Sequence, residues 1–218
     1  MRRKQHRFEH NKKAFNVIER GKEWYTNLKG NWAEYFKNEN PLVLELACGK
    51  GEYTVGLAEN RPDINVIGID IKGDRIARGS KRCMEKGLDN AAFLRTGIQY
   101  MDEFFNENDV NEIWLIHPDP QPRDKEEKKR LTNEHFLAEY KKYLKPGGLF
   151  ILKTDSPFLY EYSLENLASD PDFEVIAYTN DLYNSELLKD HYGIETHYES
   201  LWVEKGYTIN YIKCRLRE

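Results

Sequence analysis

Leu42-Val43-Leu44-Glu45-Leu46-Ala47-Cys48-Gly49-Lys50-Gly51 is an apolar run that carries one acid and then breaks into a glycine-bearing turn. Such a run reads as a buried strand, and Gly49 and Gly51 give the turn after it backbone freedom that side chains would deny. A helical segment follows from Glu52 to Asn60. Strand, glycine turn and helix together make the half-site that binds the nucleoside part of a cofactor in doubly wound α/β folds.

Downstream, the pattern repeats as β-α-β. Asn65-Val66-Ile67-Gly68-Ile69 reads as a second buried strand and ends at Asp70, 19 residues after Gly51. A carboxylate there can accept from both hydroxyls of a ribose. Residues 74–86 read as helix, Ala92–Leu94 as a third strand and Glu112–Ile116 as a fourth, which runs into His117-Pro118-Asp119-Pro120-Gln121-Pro122. A mixed-charge helical stretch, 123–144, meets Pro146-Gly147-Gly148, which opens a fifth strand, Leu149–Lys153, followed by Thr154-Asp155. A helix over 157–168, a sixth strand over Phe173–Tyr178, an irregular connection over 180–194 and a seventh strand over Tyr207–Cys214 complete the chain. Upstream, Trp24, Tyr25, Trp32, Tyr35 and Phe36 recur at helical spacing, which predicts one or two amphipathic helices whose aromatics serve as core. The expected fold is Rossmann-like α/β: seven strands, mostly parallel, an antiparallel last strand, and helices on both faces. Residues 41–218 form one domain in this reading, preceded over 1–40 by a basic arm and a helical segment packed on it.

The cofactor is narrowed by what is missing and by what is charged. A nicotinamide enzyme favours Gly-x-Gly-x-x-Gly, yet Thr54 stands in the third glycine's place. Glu45 inside the strand would face a pyrophosphate, whereas a sulfonium and an ammonium suit it. S-adenosylmethionine carries both, has ribose hydroxyls for Asp70, and has no phosphate. The alternative for Glu45 is a buried acid paired with a Lys or Arg of the chain.

Composition sets the remaining bounds. Hydrophobic content of 39% and charged content of 32% are ordinary for a soluble protein, and no apolar run approaches the roughly 20 residues of a membrane helix. Cys48, Cys83 and Cys214 are far apart, without metal-ligand spacing, so a cytoplasmic setting with neither metal nor disulfides is expected. The net charge of −4 conceals segregation: residues 1–13 carry six cations against Glu9, leaving −9 for the remainder. A basic arm on an acidic body can grip nucleic-acid phosphates through Arg2, Arg3, Lys4 and Arg7. Arg123–Arg130 holds five cations and three anions beside the Asp119 loop, and Lys125, Lys128, Lys129 and Arg130 are read as a second set of RNA contacts. The sequence carries no signal for an oligomeric state.

Asp119, set between Pro118 and Pro120 at the end of the fourth strand, sits on a stiff loop at the edge where ligands bind in parallel sheets. At this point four linked motifs become specific. Glu45-Leu-Ala-Cys-Gly-Lys-Gly, Pro118-Asp-Pro-Gln-Pro, Lys128-Lys-Arg-Leu-Thr132 and Thr196-His-Tyr-Glu199 occur in the order found in bacterial tRNA (guanine-N7)-methyltransferases, which the chain resembles from about residue 40 to its end. The resemblance implies methyl transfer from S-adenosylmethionine to N7 of the variable-loop guanine of tRNA. It places cofactor contacts at Glu45, Asp70 and Asp119, and substrate contacts at Arg123, Asp155, Thr196, His197, Tyr198 and Glu199. The family's further acidic cofactor contact aligns near Gly97, where this chain has no carboxylate. Backbone groups around Gly97 and Ile98 are expected to serve instead. Gln121 stands where relatives usually have Trp, and Arg123 where they commonly have Lys. Asp119 is assigned a catalytic role in positioning and charge stabilisation, with Asp155 or Glu199 accepting from guanine N1 and N2. Two alternatives remain open: a methyltransferase acting on an exocyclic amine, and an inactive RNA-binding relative.

Overall fold

The structure is a computed structural model that describes residues 3–218, with side chains from Lys4 onward. It comprises two units, Met1–Asn106 and Glu107–Glu218.

The N-terminal unit contains α1 (Arg3–Lys13), β1 (Val17–Ile18), α2 (Glu23–Asn27), α3 (Trp32–Phe36), β2 (Leu42–Leu46), α4 (Glu52–Asn60), β3 (Asn65–Ile69), α5 (Gly73–Lys86) and β4 (Ala91–Leu94). Its strands are parallel in the order β1-β4-β3-β2. Every residue of β2, β3 and β4 is buried, as continuous apolar runs in a parallel sheet demand. β1 is an addition to the expected set, too short at two residues to leave a period in the sequence. Gly51 begins α4 at φ +64°, where a Cβ would stand 2.4 Å from the Phe93 ring. In register, Glu45 lies opposite Gly68, whose bare Cα leaves room for the Thr54 hydroxyl, 2.5 Å from where a Cβ would be.

The N-terminal residues depart from the expected basic arm. They form α1, which docks on α5 through polar side chains: the buried Asn11 amide donates to the Gly73 carbonyl at 2.7 Å, and His10 Nε2 meets Ser80 Oγ at 2.8 Å. Arg7 lies 3.7 Å from Asp74, while Lys4 and Lys13 remain exposed. Arg2 and the Arg3 side chain, both expected to contact RNA, lie outside the described residues. The aromatic segment is cut into two five-residue helices, with Gly21 at φ +94° ahead of the first and Gly30 at φ +80° between them. Of its aromatics, Trp32 and Phe36 are core while Trp24, Tyr25 and Tyr35 are half-buried; Trp32 stacks on Phe105 at 5.2 Å and its indole N–H donates to the Phe104 carbonyl at 2.9 Å.

The C-terminal unit contains β5 (Val110–Ile116), α6 (Glu134–Tyr143), β6 (Leu144–Thr154), α7 (Pro157–Ser169), β7 (Phe173–Thr179), α8 (His197–Glu204) and β8 (Asn210–Leu216). The order is β5-β6-β8-β7, with β5 and β6 parallel and β8 antiparallel to both neighbours. The described residues thus carry eight strands where the sequence predicts seven. The charged stretch expected as one helix splits into a 3-10 turn, Asp124–Lys129, and α6, whose start is capped by Asn133 Oδ1 accepting from His135 N at 3.1 Å. The expected irregular connection holds a single 3-10 turn, Glu186–His191. Thr196 and Glu199 form a reciprocal capping box that starts α8. No helix among the described residues is long and apolar enough to cross a membrane.

Gly51→Ala meets both a left-handed backbone and an occupied space. It should lower unfolding stability by roughly 2–4 kcal/mol, read from urea midpoints. A midpoint equal to that of the parent protein would mean that the Phe93 ring yields freely.

Candidate functional site

In the N-terminal unit, three strand ends deliver the expected cofactor residues. β2 ends at the turn Ala47–Gly51, which takes positive φ at Ala47, Gly49 and Gly51 and so turns its amides inward. Gly49 N donates to Asp70 Oδ2 at 2.9 Å, and Lys72 N donates to Asp70 Oδ1 at 2.7 Å. Asp70 therefore ties the turn after β2 to the start of α5. Glu45 is buried, and its Oε2 accepts from Thr54 N at 2.6 Å and Thr54 Oγ1 at 2.5 Å. Burial raises its pKa to about 8 against the lowering effect of the Thr54 hydrogen bonds, and the nearby acids Glu52 and Asp70 add to the rise. No Lys or Arg pairs with it among the described residues, so no opposite charge offsets the burial.

In the same unit a cavity of about 650 Å³ is lined by Ile71, Thr96, Gly97 and Tyr100, with Phe8 and Lys12 of α1 and the charged Glu19, Arg20 and Arg95. Gly97 is bare at the wall; a Cβ there would meet the Gln99 side chain at 2.5 Å. Ile98, half-buried, opens the 3-10 turn that follows. Arg95 is held by Glu19 at 2.9 Å and lies over the Phe8 ring at 5.1 Å. The acids Glu45 and Asp70 and the exposed aliphatic face of Ile71 directly after Asp70 fit S-adenosylmethionine; the turn itself carries one cation, Lys50. Sequence reading passed over Ile71, although an apolar residue left exposed after a strand-ending acid is a usable signal. Phe8 and Lys12 had none, since only the docking of α1 brings them here.

In the C-terminal unit, the loop after β5 begins at His117 with φ +46° and takes Gln121 to φ +47°. Two side-chain-bearing residues in the left-handed region mark a loop held in place by its surroundings. Arg130 supplies part of that hold: its Nε donates to the Gln121 carbonyl at 3.1 Å. The Arg130 guanidinium is buried, 4.7 Å from the Phe158 ring and 4.5 Å from that of Tyr162. The expectation that Arg130 contacts RNA is corrected accordingly: a buried guanidinium braces the loop. Arg123 is exposed but makes a two-pronged contact with Glu126 at 2.7 and 2.6 Å, while Lys125, Lys128 and Lys129 face solvent. Asp119 projects outward between its prolines.

Behind the loop lies a charged cluster. Lys153, at the end of β6, pairs with Glu199 of α8, and neither side chain has any exposed surface. Glu199 also accepts from Tyr183 OH at 2.9 Å and Thr196 N at 3.3 Å, and its Oε2 lies 3.3 Å from His117 Nε2. Asp155 Oδ1 stands 3.4 Å from His117 Nδ1, an ion-pair distance rather than a well-formed hydrogen bond. Burial opposes charge on His117, but the carboxylates of Asp155 and Glu199 outweigh it and raise its pKa. Burial likewise disfavours the Glu199 carboxylate, yet His117 and Lys153 hold its pKa down to about 2. The substrate contacts implied by resemblance therefore divide. His197, Tyr198 and part of Asp155 are accessible, Thr196 caps α8, and Glu199 is enclosed with both oxygens engaged. No cluster of three or more His, Cys, Asp or Glu able to hold a metal occurs among the described residues.

The family described as "putative methyltransferase" matches residues 39–212. The chain is 44% identical over 214 residues to a tRNA (guanine-N(7)-)-methyltransferase of Cytophaga hutchinsonii, covering 97% of this chain and 96% of that one. It is 48% identical over 217 residues to the protein of that name in Christiangramia forsetii, again covering 97% and 96%. Among solved structures, the 30S ribosomal A1408 methyltransferase from an uncultured bacterium superposes with a TM-score of 0.62 at 17% identity, covering 92% of this chain and 98% of that one. That likeness shows the class I methyltransferase fold.

Lys153→Met removes one half of the buried pair and leaves Glu199 charged and enclosed. The loss should be about 3–5 kcal/mol in urea unfolding, and Lys153→Met/Glu199→Gln should recover much of it. Because the folded-state pKa of Glu199 lies below its ordinary 4.5, its contribution is full above that value and is lost as pH falls toward 2. Glu199→Gln should accordingly flatten the acid limb of stability against pH; an unaltered limb would contradict the assignment.

Proposed function

The chain belongs to the tRNA (guanine-N(7)-)-methyltransferase family, and we propose that its target is the variable-loop guanine of tRNA, methylated in the cytoplasm at N7. It is an S-adenosylmethionine-dependent methyltransferase acting on tRNA. Near-full-length kinship to proteins carrying that name is the observation on which the reading rests.

S-adenosylmethionine supplies a methyl group made electrophilic by its sulfonium. Asp70, already fixed by two amide donors, offers its remaining lone pairs to ribose hydroxyls. Ile71 and the Gly97 wall accept the adenine, with backbone groups of Gly97 and Ile98 reading its edge. Gly49 and Gly51 let the chain approach the ligand closely. Glu45 faces the cationic end through the turn and changes charge on binding.

Guanine N7 holds its lone pair in the ring plane, so it takes the methyl without prior deprotonation. The chain's work is alignment, worth roughly 7–11 kcal/mol in well-oriented systems. As N7 acquires the methyl, positive charge develops on the purine. Asp119, exposed on a braced loop, holds the base in line and stabilises that charge; two charges at about 4 Å attract by roughly 4 kcal/mol at an effective dielectric of 20. Asp155 accepts from N1 and N2, and Glu199 supports it indirectly through His117. Arg123, Thr196, His197 and Tyr198 lie along the substrate path. Lys125, Lys128 and Lys129, together with Lys4 and Arg7 of α1, contact phosphates.

Unmodified tRNA incubated with labelled S-adenosylmethionine should become labelled and then cleave at one guanosine after borohydride and aniline, a chemistry specific to the N7-methylated base. Label without cleavage would point to an exocyclic amine; no label at all would point to an inactive relative. Asp119→Asn should lower turnover roughly tenfold or more with cofactor affinity reduced less; wild-type turnover would remove Asp119 from the mechanism.

Glu45 yields a second prediction. With a pKa of about 8 it is protonated at pH 7 before the cofactor arrives. A bound cation lowers that pKa, so cofactor binding should release a proton and strengthen as pH rises from 6 to 7. Calorimetry in buffers of different ionisation enthalpy reads the release directly, and Glu45→Gln should abolish it. Heats that do not depend on the buffer would refute the charge change.

A further inference from the structure

Glu199, enclosed by Lys153, His117 and Tyr183, anchors the first turn of α8. Three residues on, one helical turn along the same face, comes Trp202. Its indole meets the His117 ring edge-on, with centroids 5.2 Å apart and planes at 66°, and lies 6.0 Å from Tyr198 at 27°. The rest of the indole is partly exposed and borders a cavity of about 400 Å³ lined by Asp155, Pro157, Trp202, Lys205, Tyr207 and Thr208. The cavity therefore combines a carboxylate, two aromatic side chains and a cation. It lies within the C-terminal unit, at the carboxyl end of β6 and the approach to β8.

That combination selects a purine of one kind. Guanine presents N1–H and N2–H on a single edge, and a carboxylate accepts from both; adenine has no such donor pair there. A base held by that edge carries N7 on its opposite side. An aromatic plane on its face suits a purine, and suits it better as methylation makes the ring cationic. The ammonium of Lys205 at the cavity suits the nucleotide's phosphate. Gln121 on the Asp119 loop brings no aromatic ring to a base.

Resting on the reading that guanine is the acceptor, we propose that Trp202 is the platform on which the target base stacks while Asp155 reads its edge. Trp202 is then a specificity-determining residue, delivered by the same buried ion pair that organises α8.

Two measurements test this, one of them independent of turnover. In the full-length protein, 7-methylguanosine monophosphate should quench tryptophan fluorescence more than adenosine monophosphate does, and Trp202→Phe should remove most of that quench. Asp155→Asn should erase the preference between the two nucleotides. In the methylation assay, Trp202→Ala should raise KM for tRNA on the order of ten- to a hundredfold, with cofactor affinity unchanged, and Trp202→Phe should restore most of the loss. The phenylalanine variant keeps an aromatic ring against His117, so the test survives if the alanine variant fails to fold. Equal quenching by both nucleotides, or a wild-type KM in Trp202→Ala, would overturn the proposal. If the wild type leaves guanine N7 unmethylated, the parent reading fails, and guanine-selective quenching then decides the binding role by itself.

Discussion

The Lys153 ammonium and the Glu199 carboxylate have no exposed surface, and a lone charge left in either place would be strongly destabilising. That constraint draws three elements together. Lys153 ends β6, His117 follows β5, and Glu199 lies in the first turn of α8. The left-handed backbone of His117 directs the Asp119 loop, and the capping box of Thr196 and Glu199 sets the direction of α8. The accessible groups proposed to meet the base, Asp155 and Trp202, are each in contact with His117. An enclosed ion pair is weak as a source of net stability, but it is strict about geometry.

The N-terminal unit applies the same logic to its acids. Asp70 and Glu45 both accept from donors of the chain itself, which hold the turn between them in shape. Preorganisation of this kind spares the reorganisation that binding would otherwise require. The raised pKa of Glu45 follows from enclosing a carboxyl with hydroxyl and amide partners and no cation. Gly68 completes the arrangement by leaving the space that the Thr54 hydroxyl occupies.

Much of the fold was legible along the chain. β2, β3 and β4 and the inner stretches of β5 and β6 appear as apolar runs because strands covered on both faces need no polar alternation, whereas the start of β6 at Leu144 was hidden by the exposed Lys145-Pro146-Gly147. Gly49, Gly51 and Asp70 were legible because a tight turn and a strand-ending acid each impose a residue type at a fixed spacing. β1 was not, since two residues cannot show a period. The docking of α1 was missed because a basic run looks like a tail until Asn11 and His10 find Gly73 and Ser80, more than sixty residues away. Arg130 looked like its lysine neighbours, and only the rings of Phe158 and Tyr162 separate it from them.

The sequence by itself determined the fold class, the identity of the glycine turn, and the family, because these depend on local residue types and on their order. The tertiary structure alone decided which of the named charges are available and which are committed. Glu199 and Arg130 carry the right chemistry for a ligand, yet each is buried against other side chains of the chain. Charge is a property of the residue, but its availability depends on solvent and neighbours, and those exist only once the chain has folded. Trp202 shows the converse: a tryptophan that the sequence does not single out becomes a candidate base platform because a buried pair one turn earlier holds it beside Asp155.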